Sequence, residues 1–203
     1  MFISLEGIEG AGKSTLANSL LNYFKSQNQA VILTREPGGT PLAEEIRHTI
    51  LHSNPSEKLS KNAELLLMFA SRIQHIEQLI KPALEKNKIV ISDRYIDASY
   101  AYQGGGRGIE FENISILENI FIKNNLPDIT LLLDLPLDKM KERLKKAPLD
   151  KIEKENLEFF YNVRSAYLKR AKNNPERIKI IDASQSTNIV LEQSLAFIKE
   201  KAS

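Results

Sequence analysis

The chain has no cysteine, which excludes disulfides and thiolate metal centres and says nothing of the compartment. Nor does either charge dominate. Lys and Arg number 28 against 26 Asp and Glu, a formal +2, too even a balance for gripping a nucleic-acid backbone through bulk electrostatics. Bound anions are expected to be small, and nucleic acid is not an expected partner. No run of about 18 apolar residues occurs, so no membrane-spanning helix is expected. The opening MFISLEGIEG lacks the basic start, longer apolar stretch and small-residue cleavage site of a secretory signal, which makes the cytoplasm the expected compartment. Pro/Gly/Ser-rich linkers, internal repeats and low-complexity tracts are missing too. With 203 residues, 42% hydrophobic and 27% charged of interleaved sign, the chain is expected to form one domain over residues 1–203.

Short apolar runs bounded by polar residues recur as MFISLE, QAVILT, KIVISD, ITLLLDL and RIKIID, with longer segments of helical spacing between them. This alternation predicts an α/β fold: a five-stranded parallel sheet with helices on both faces, since parallel neighbours need crossover connections. From Ser60 to Lys86, Leu65, Leu66, Met68, Phe69, Ile73, Ile76, Leu79 and Ile80 recur at threes and fours, which predicts one long helix with an apolar face. Pro82 is expected to kink its end. The stretch QGGGRG, Gln103 to Gly108, reads as a loop between helices.

Gly7, Gly12, Lys13 and Ser14 fit G-x-x-x-x-G-K-[ST] in the required context, an apolar strand before and an amphipathic helix after. In such a loop the backbone N–H groups of Ile8, Glu9, Gly10, Ala11 and Thr15 converge with those of the fixed positions on phosphates at a helix N-terminus. Lys13 then neutralises the β- and γ-phosphates, and the Ser14 hydroxyl ligates Mg²⁺. A plain strand-to-helix turn that happens to contain glycines explains less, because all four positions and both flanks agree. ATPases, GTPases and kinases share this loop. The base-reading Asn-Lys-x-Asp of guanine switches is absent, and the chain has little room for a motor's extra subdomains, so a small-molecule kinase leads.

A kinase acting on a phosphorylated acceptor needs a second anion site facing the first, and arginine's planar fork suits phosphate. Arg35, Arg47, Arg72, Arg94 and Arg107 are the candidates. Arg35 and Arg94 directly follow the predicted strands VILT and VISD, where open parallel sheets bind ligands; any one of them taken singly could equally be a solvated surface cation.

With the loop, TREPGGT at Thr34 to Thr40 and DRYIDASYAYQGGGRG at Asp93 to Gly108 resemble the signatures of the thymidylate kinase family, of the bacterial kind, and the likeness covers essentially the whole chain. The resemblance implies phosphoryl transfer from ATP to dTMP, giving dTDP and ADP in dTTP synthesis, on a P-loop nucleotide-kinase fold, with Mg²⁺ as cofactor and a homodimer as assembly. It implies that Glu9 helps hold the sugar and align the acceptor phosphate, that Arg35, Arg47 and Arg94 grip that phosphate, and that Asp93 lies near Mg²⁺. Arg72 should hydrogen-bond thymine with Ser99 and Gln103, Tyr102 should close over the deoxyribose, and Pro37 should follow a cis bond.

The family's stacking aromatic falls four residues before the base-reading arginine. That is Met68 here, with Phe69 three before. Both share the face of Arg72, and Phe69 is favoured for its ring. The lid, about 144–153, holds none of the arginines that relatives with Glu-Gly in the loop place there. Lys145, Lys146 and Lys151 are available, with Lys151 where that arginine would stand, and a lysine supplies charge without the bidentate fork. Arg143 matches a family arginine over adenine or near the phosphates, and Glu153 matches the lid glutamate. Asp134, ending ITLLLD, rivals Asp93 as a metal-related acid or caps the next helix. His48, His52 and His75 lack metal-ligand spacing and read as surface or partly buried.

Overall fold

In the computed structural model the described residues are 1–52, 57, 59–144 and 155–202. The central strand β1, Phe2–Glu6, is buried along its whole length, as a strand covered on both faces requires. Ile3 and Leu5 enter one core, under helices α1 (Lys13–Ser26), α8 (Leu157–Asn173) and α9 (Thr187–Ala202). Phe2 enters the other, under α3 (Lys61–His75), α5 (Ile96–Ser99) and α6 (Phe111–Phe121).

The other strands are β2 (Val31–Arg35), β3 (Ile89–Asp93), β4 (Ile129–Asp134) and β5 (Ile178–Asp182). All pair in parallel in the order β2-β3-β1-β4-β5, so the expected five-stranded sheet is present. The chain leaves β1 toward one edge and leaves β3 toward the other. The carboxyl ends of β1 and β3 therefore form the switch point where such sheets open a crevice. The register sets Leu5 beside Asp93, so the loop after β1 and the segment after β3 meet there.

Two expectations need correction. The long helix runs as α3 and α4 (Lys81–Glu85) joined by a π-helical turn at Ile76–Ile80. That wider turn lies directly before Pro82, whose ring would otherwise press on the carbonyl of the preceding turn. The QGGGRG stretch is also not a loop through most of its length. Tyr100–Gly106 continues α5 as a second π-helical segment, packed straight onto α8. A Cβ on Gly105 would lie 2.6 Å from the backbone oxygen of Asn162 and 2.7 Å from the Ala166 Cβ. Glycine is needed there for close approach between two helices; at Gly108 alone in this stretch is φ positive (68°). Composition cannot separate these uses, because both call for a missing side chain.

Helix α2 (Pro41–Leu51) starts on Thr40, whose hydroxyl accepts from the Ala43 N–H (3.3 Å), with proline in its first turn. Helix α7 spans Leu137–Leu144. No helix among the described residues is long and apolar enough to cross a membrane.

Candidate active site

The loop after β1 can be built only with glycine at its first position. Gly7 has φ of 139°, and a Cβ there would meet the Leu133 oxygen at 2.5 Å. Gly12 caps α1 in a left-handed conformation, and no side chain occupies the helix's first N–H groups, which leaves a set of donors and the positive end of the helix dipole open to an anion. Lys13 folds back over the loop, donating to the oxygens of Gly7 (3.0 Å) and Ile8 (2.9 Å). Burial, then repulsion from Arg94, pushes its pKa down to about 8. Ser14 Oγ donates to Asp93 Oδ2 at 3.1 Å. This hydroxyl and carboxylate are hard oxygen donors of the kind magnesium takes, beside the phosphate loop. Asp134 is engaged elsewhere: Arg164 holds it with two hydrogen bonds of 2.6 and 2.8 Å, so it neither joins Ser14 nor caps α7.

Facing the loop is a cavity of about 370 Å³. Its lining takes Glu9, Lys13 and Ser14 from the loop and the start of α1, Arg35, Pro37 and Arg47 from β2 through α2, Met68 and Arg72 from α3, and Arg94, Ser99, Tyr102 and Gln103 from the segment after β3. Arg94 stands at φ 74°, a conformation that a long side chain adopts only when its surroundings hold it. Those restraints are visible: its N–H goes to Leu5 O (2.9 Å), Ser92 Oγ donates to its carbonyl (2.7 Å), and its Nη2 meets Glu9 Oε1 (2.6 Å). Tyr102 O–H reaches both Glu9 oxygens (2.8 and 2.7 Å) and its ring lies 4.6 Å under the Arg94 guanidinium. Burial pushes that phenol well above its ordinary pKa, so it remains a donor. Arg35 pairs with Glu44 (3.0 Å) while still more than half exposed, and Arg47 donates to Pro37 O (3.0 Å). The Glu36–Pro37 bond is cis.

Arg72 lies deeper, buried with its Nε on Glu36 (2.6 Å), Nη1 on Ser99 (3.0 Å) and Nη2 on the Tyr95 carbonyl (3.1 Å). Gln103 donates to Glu64 (3.0 Å). Met68 is in the cavity wall. Phe69, favoured for its ring, packs in the second core, 5.2 Å from the Arg72 guanidinium. Three residues and four residues before an arginine share a helix face only loosely, and here the step of one position separates cleft from core. Arg107 is likewise not a cleft residue: it pairs with Glu155 (2.6 Å) and sits over Phe159 (4.9 Å).

On the other side of the loop a cavity of about 390 Å³ runs from Gly10, Ala11, Gly12 and Thr15 to Ala183, Gln185 and Thr187. Arg143 bridges its walls, donating to Gly10 O and Ala183 O (2.9 Å each).

The thymidylate kinase family model matches residues 5–194. This chain belongs to the thymidylate kinase family. It is 48% identical to thymidylate kinase of Acinetobacter baumannii (98% of this chain, 100% of the relative), and 47% identical to that of Acinetobacter baylyi (98% of each). Among solved structures it resembles thymidylate kinase from Ehrlichia chaffeensis, with a TM-score of 0.80, 36% identity and 98% of each chain covered.

Within this member of the thymidylate kinase family, several site residues escaped sequence reasoning. Ala183 and Gln185 follow β5, and the rule that ligands gather at strand ends would have found them; Asp182 shapes their turn, accepting from Ser184 N–H (2.9 Å) and Gln185 Nε2 (2.8 Å). Glu36 and Glu64, both buried, are the counter-ions and acceptors that arrange the cleft's donors, and no local pattern marks them. His75, read as surface or partly buried, is fully buried, while His48 and His52 stack on each other (4.5 Å). Lys145, Lys146, Lys151 and Glu153 lie outside the described residues.

Proposed function

We propose that this chain transfers the γ-phosphate of ATP to dTMP, releasing dTDP and ADP, as one cytoplasmic domain over residues 1–203 with a lid at about 144–153. The observation that carries this reading is that one cavity has two anion-binding walls, the Lys13 loop and the cluster of Arg35, Arg47 and Arg94, together with buried hydrogen-bonding groups on Arg72, Ser99 and Gln103. A lone ATPase needs the first wall and has no use for the second.

ATP lies along the loop, its base in the cavity between Thr187 and Arg143. Lys13 leaves its carbonyl partners for the β- and γ-phosphates, and Ser14 with Asp93 would hold Mg²⁺. The ion would offset charge on the donor phosphates. The dTMP phosphate sits between Arg35, Arg47 and Arg94. An oxygen of that phosphate attacks the γ-phosphorus as the bond to ADP breaks. The attacking oxygen is already anionic, so no general base is required and the protein's work is alignment and charge stabilisation. Glu9, held by Arg94 and Tyr102, lies where the deoxyribose meets that phosphate, and Tyr102's buried ring leaves no space for a 2′-hydroxyl. Met68 covers the thymine that Arg72 reads. Lys151 takes the place of the lid arginine. Homodimerisation belongs to the same reading; Ile116 and Ile120 on α6, 49% and 64% exposed, offer it an apolar face.

The test is ADP release with ATP, Mg²⁺ and each of dTMP, dUMP, CMP, GMP and AMP in turn. Stimulation by dTMP above all others is expected. Equal turnover without any acceptor would replace the kinase with an ATPase, and preference for another monophosphate would replace the substrate.

A further inference from the structure

Behind the cavity, four polar side chains from two stretches, Thr34 and Glu36 and then Arg72 and His75, form a buried chain of hydrogen bonds. Thr34 Oγ1 meets His75 Nε2 at 2.7 Å, His75 Nδ1 meets Glu36 Oε1 at 3.0 Å, and Glu36 Oε2 accepts from Arg72 Nε at 2.6 Å. All four are buried, and no buried side-chain polar atom among the described residues lacks a partner. The proton on Nδ1 follows from its partner. Glu36 offers both neighbours only lone pairs, so Nδ1 of His75 donates to Oε1, and Nε2 shares a hydrogen bond with the Thr34 hydroxyl.

Backbone covers this chain. A Cβ on Gly39 would fall 2.6 Å from both His75 Nε2 and Thr34 Oγ1, so this glycine of TREPGGT is required because the relay lies directly beneath it. The Gly38 N–H reaches Ser71 Oγ (3.2 Å), one residue before Arg72. The segment carrying Pro37 into the cleft is thereby pinned to the helix that carries Met68 and Arg72.

The consequence for Arg72 is geometric. Its Nε is given to Glu36 and one N–H of each terminal nitrogen to Ser99 and the Tyr95 carbonyl. One N–H on each terminal nitrogen remains, on a side chain that lines the cavity. Lost charge at Glu36 would leave a buried guanidinium uncompensated and free to turn toward other acceptors. We infer that Glu36 and His75 are positioning residues for acceptor-base recognition, with His75 fixing the carboxylate whose other oxygen sets the orientation of Arg72. This rests on the proposed reading of the cavity as the acceptor site.

The relay acts on base recognition and leaves the donor loop alone, so its removal separates the kinetic constants. Glu36→Gln is expected to raise KM for dTMP about tenfold, while lowering kcat by no more than about threefold and leaving KM for ATP within about twofold. The histidine offers a sharper comparison. His75→Asn keeps an N–H near the Nδ1 position and is expected to hold KM for dTMP within about twofold. His75→Gln keeps its polar atom near Nε2, leaves Glu36 Oε1 empty, and is expected to raise KM at least about threefold. An unchanged KM in Glu36→Gln, or the same KM in both His75 variants, would overturn the inference; should Glu36→Gln fail to fold, the His75 pair decides. Wild-type protein that ignores dTMP overturns the proposed substrate instead, and the same KM comparison on whichever monophosphate it accepts still decides the relay.

Discussion

The two walls of the cleft are made of different material. On the donor side the recognising groups are main-chain N–H groups of a glycine-shaped loop, an uncapped helix and one lysine resting on carbonyls of its own loop. On the acceptor side they are side chains, and each of the principal cations is restrained by a partner from elsewhere in the chain: Arg94 by Glu9, Arg35 by Glu44, Arg72 by Glu36 and Arg47 by the Pro37 carbonyl. A main-chain site needs only a short run of residue types at fixed spacing. A side-chain site needs counter-charges that arrive from distant positions, because an unpaired buried guanidinium is not tolerated. In the proposed reading, triphosphate binding, common to many proteins, falls to the first wall, while the acceptor's phosphate and base, which distinguish this kinase, fall to the second.

The most direct way to break this comparison is to remove the phosphate loop's lysine. Lys13→Ala is expected to lower kcat by roughly 10²- to 10³-fold, the scale for deleting one preorganised charge from a transition-state site. The fold should persist, because Lys13 contributes to neither hydrophobic core. A thermal melt and steady-state kinetics check both parts. Undiminished turnover would mean that the loop's N–H groups alone stabilise the transferring phosphoryl group.

Legibility in the sequence follows the same division. The five strands and the phosphate loop could be read directly, since each lies within a contiguous run; Asp93, which the fold brings to Ser14, is marked only by the resemblance, with Asp134 as its rival. Arg35, Arg47, Arg72, Arg94, Ser99, Tyr102 and Gln103 do converge on one cavity; the four arginines are candidates by their own chemistry and, for Arg35 and Arg94, by strand-end placement, while Ser99, Tyr102, Gln103 and the separate roles come through a resemblance in long motifs. The groups that position them could not be read at all. Glu36, Glu64 and His75 are polar residues whose burial depends on how α3 meets the stretch after β2 and the π-helical segment Tyr100–Gly106, and hydrophobic periodicity says nothing about where an isolated carboxylate ends. Phe69 and Met68 show the same limit at finer grain: a side chain's face is known to about a helix turn, while cleft and core differ by one residue.

The π-helical segment beneath the acceptor wall sharpens the comparison next. Tyr102 and Gln103 are carried by Tyr100–Gly106, and Gly105 holds that segment against α8, where any Cβ would lie 2.6 Å from the main-chain oxygen of Asn162. Main-chain atoms of a helix cannot step aside as a flexible side chain does, so Gly105→Ala is expected to lower stability by about 2 kcal/mol, within the usual range for overpacking. KM for dTMP should rise with it, while KM for ATP stays. Urea denaturation at equal m-value measures the first effect. A stability change below about 0.5 kcal/mol would show that the two helices can separate without penalty.

The smallest effect concerns pH, and it asks how much of the donor wall's hold on nucleotide is Lys13 rather than main chain. Burial, then the charge of Arg94, lowers the Lys13 pKa from 10.5 to about 8. Between those values the unfolded chain holds more protons than the folded one, so this group's contribution to stability is complete above pH 10.5 and is lost as pH falls through 8. Bound phosphates reverse the preference, because their negative charge favours the ammonium form, and binding above pH 8 must take up a proton. ATP affinity is therefore expected to fall by up to about tenfold between pH 7 and pH 9, following the protonated fraction of the free site. Glu6 blunts this fall. Its own pKa is raised to about 8, first by burial and then by Asp97, and its negative charge above that pH favours protonated Lys13, so Glu6→Gln should steepen the loss. Calorimetric titration at pH 8.5 in two buffers of different ionisation enthalpy measures the proton uptake directly. A wall that bound ATP only through main-chain N–H groups would show equal affinity at both pH values and no uptake, and that result would assign the donor side's grip to backbone alone.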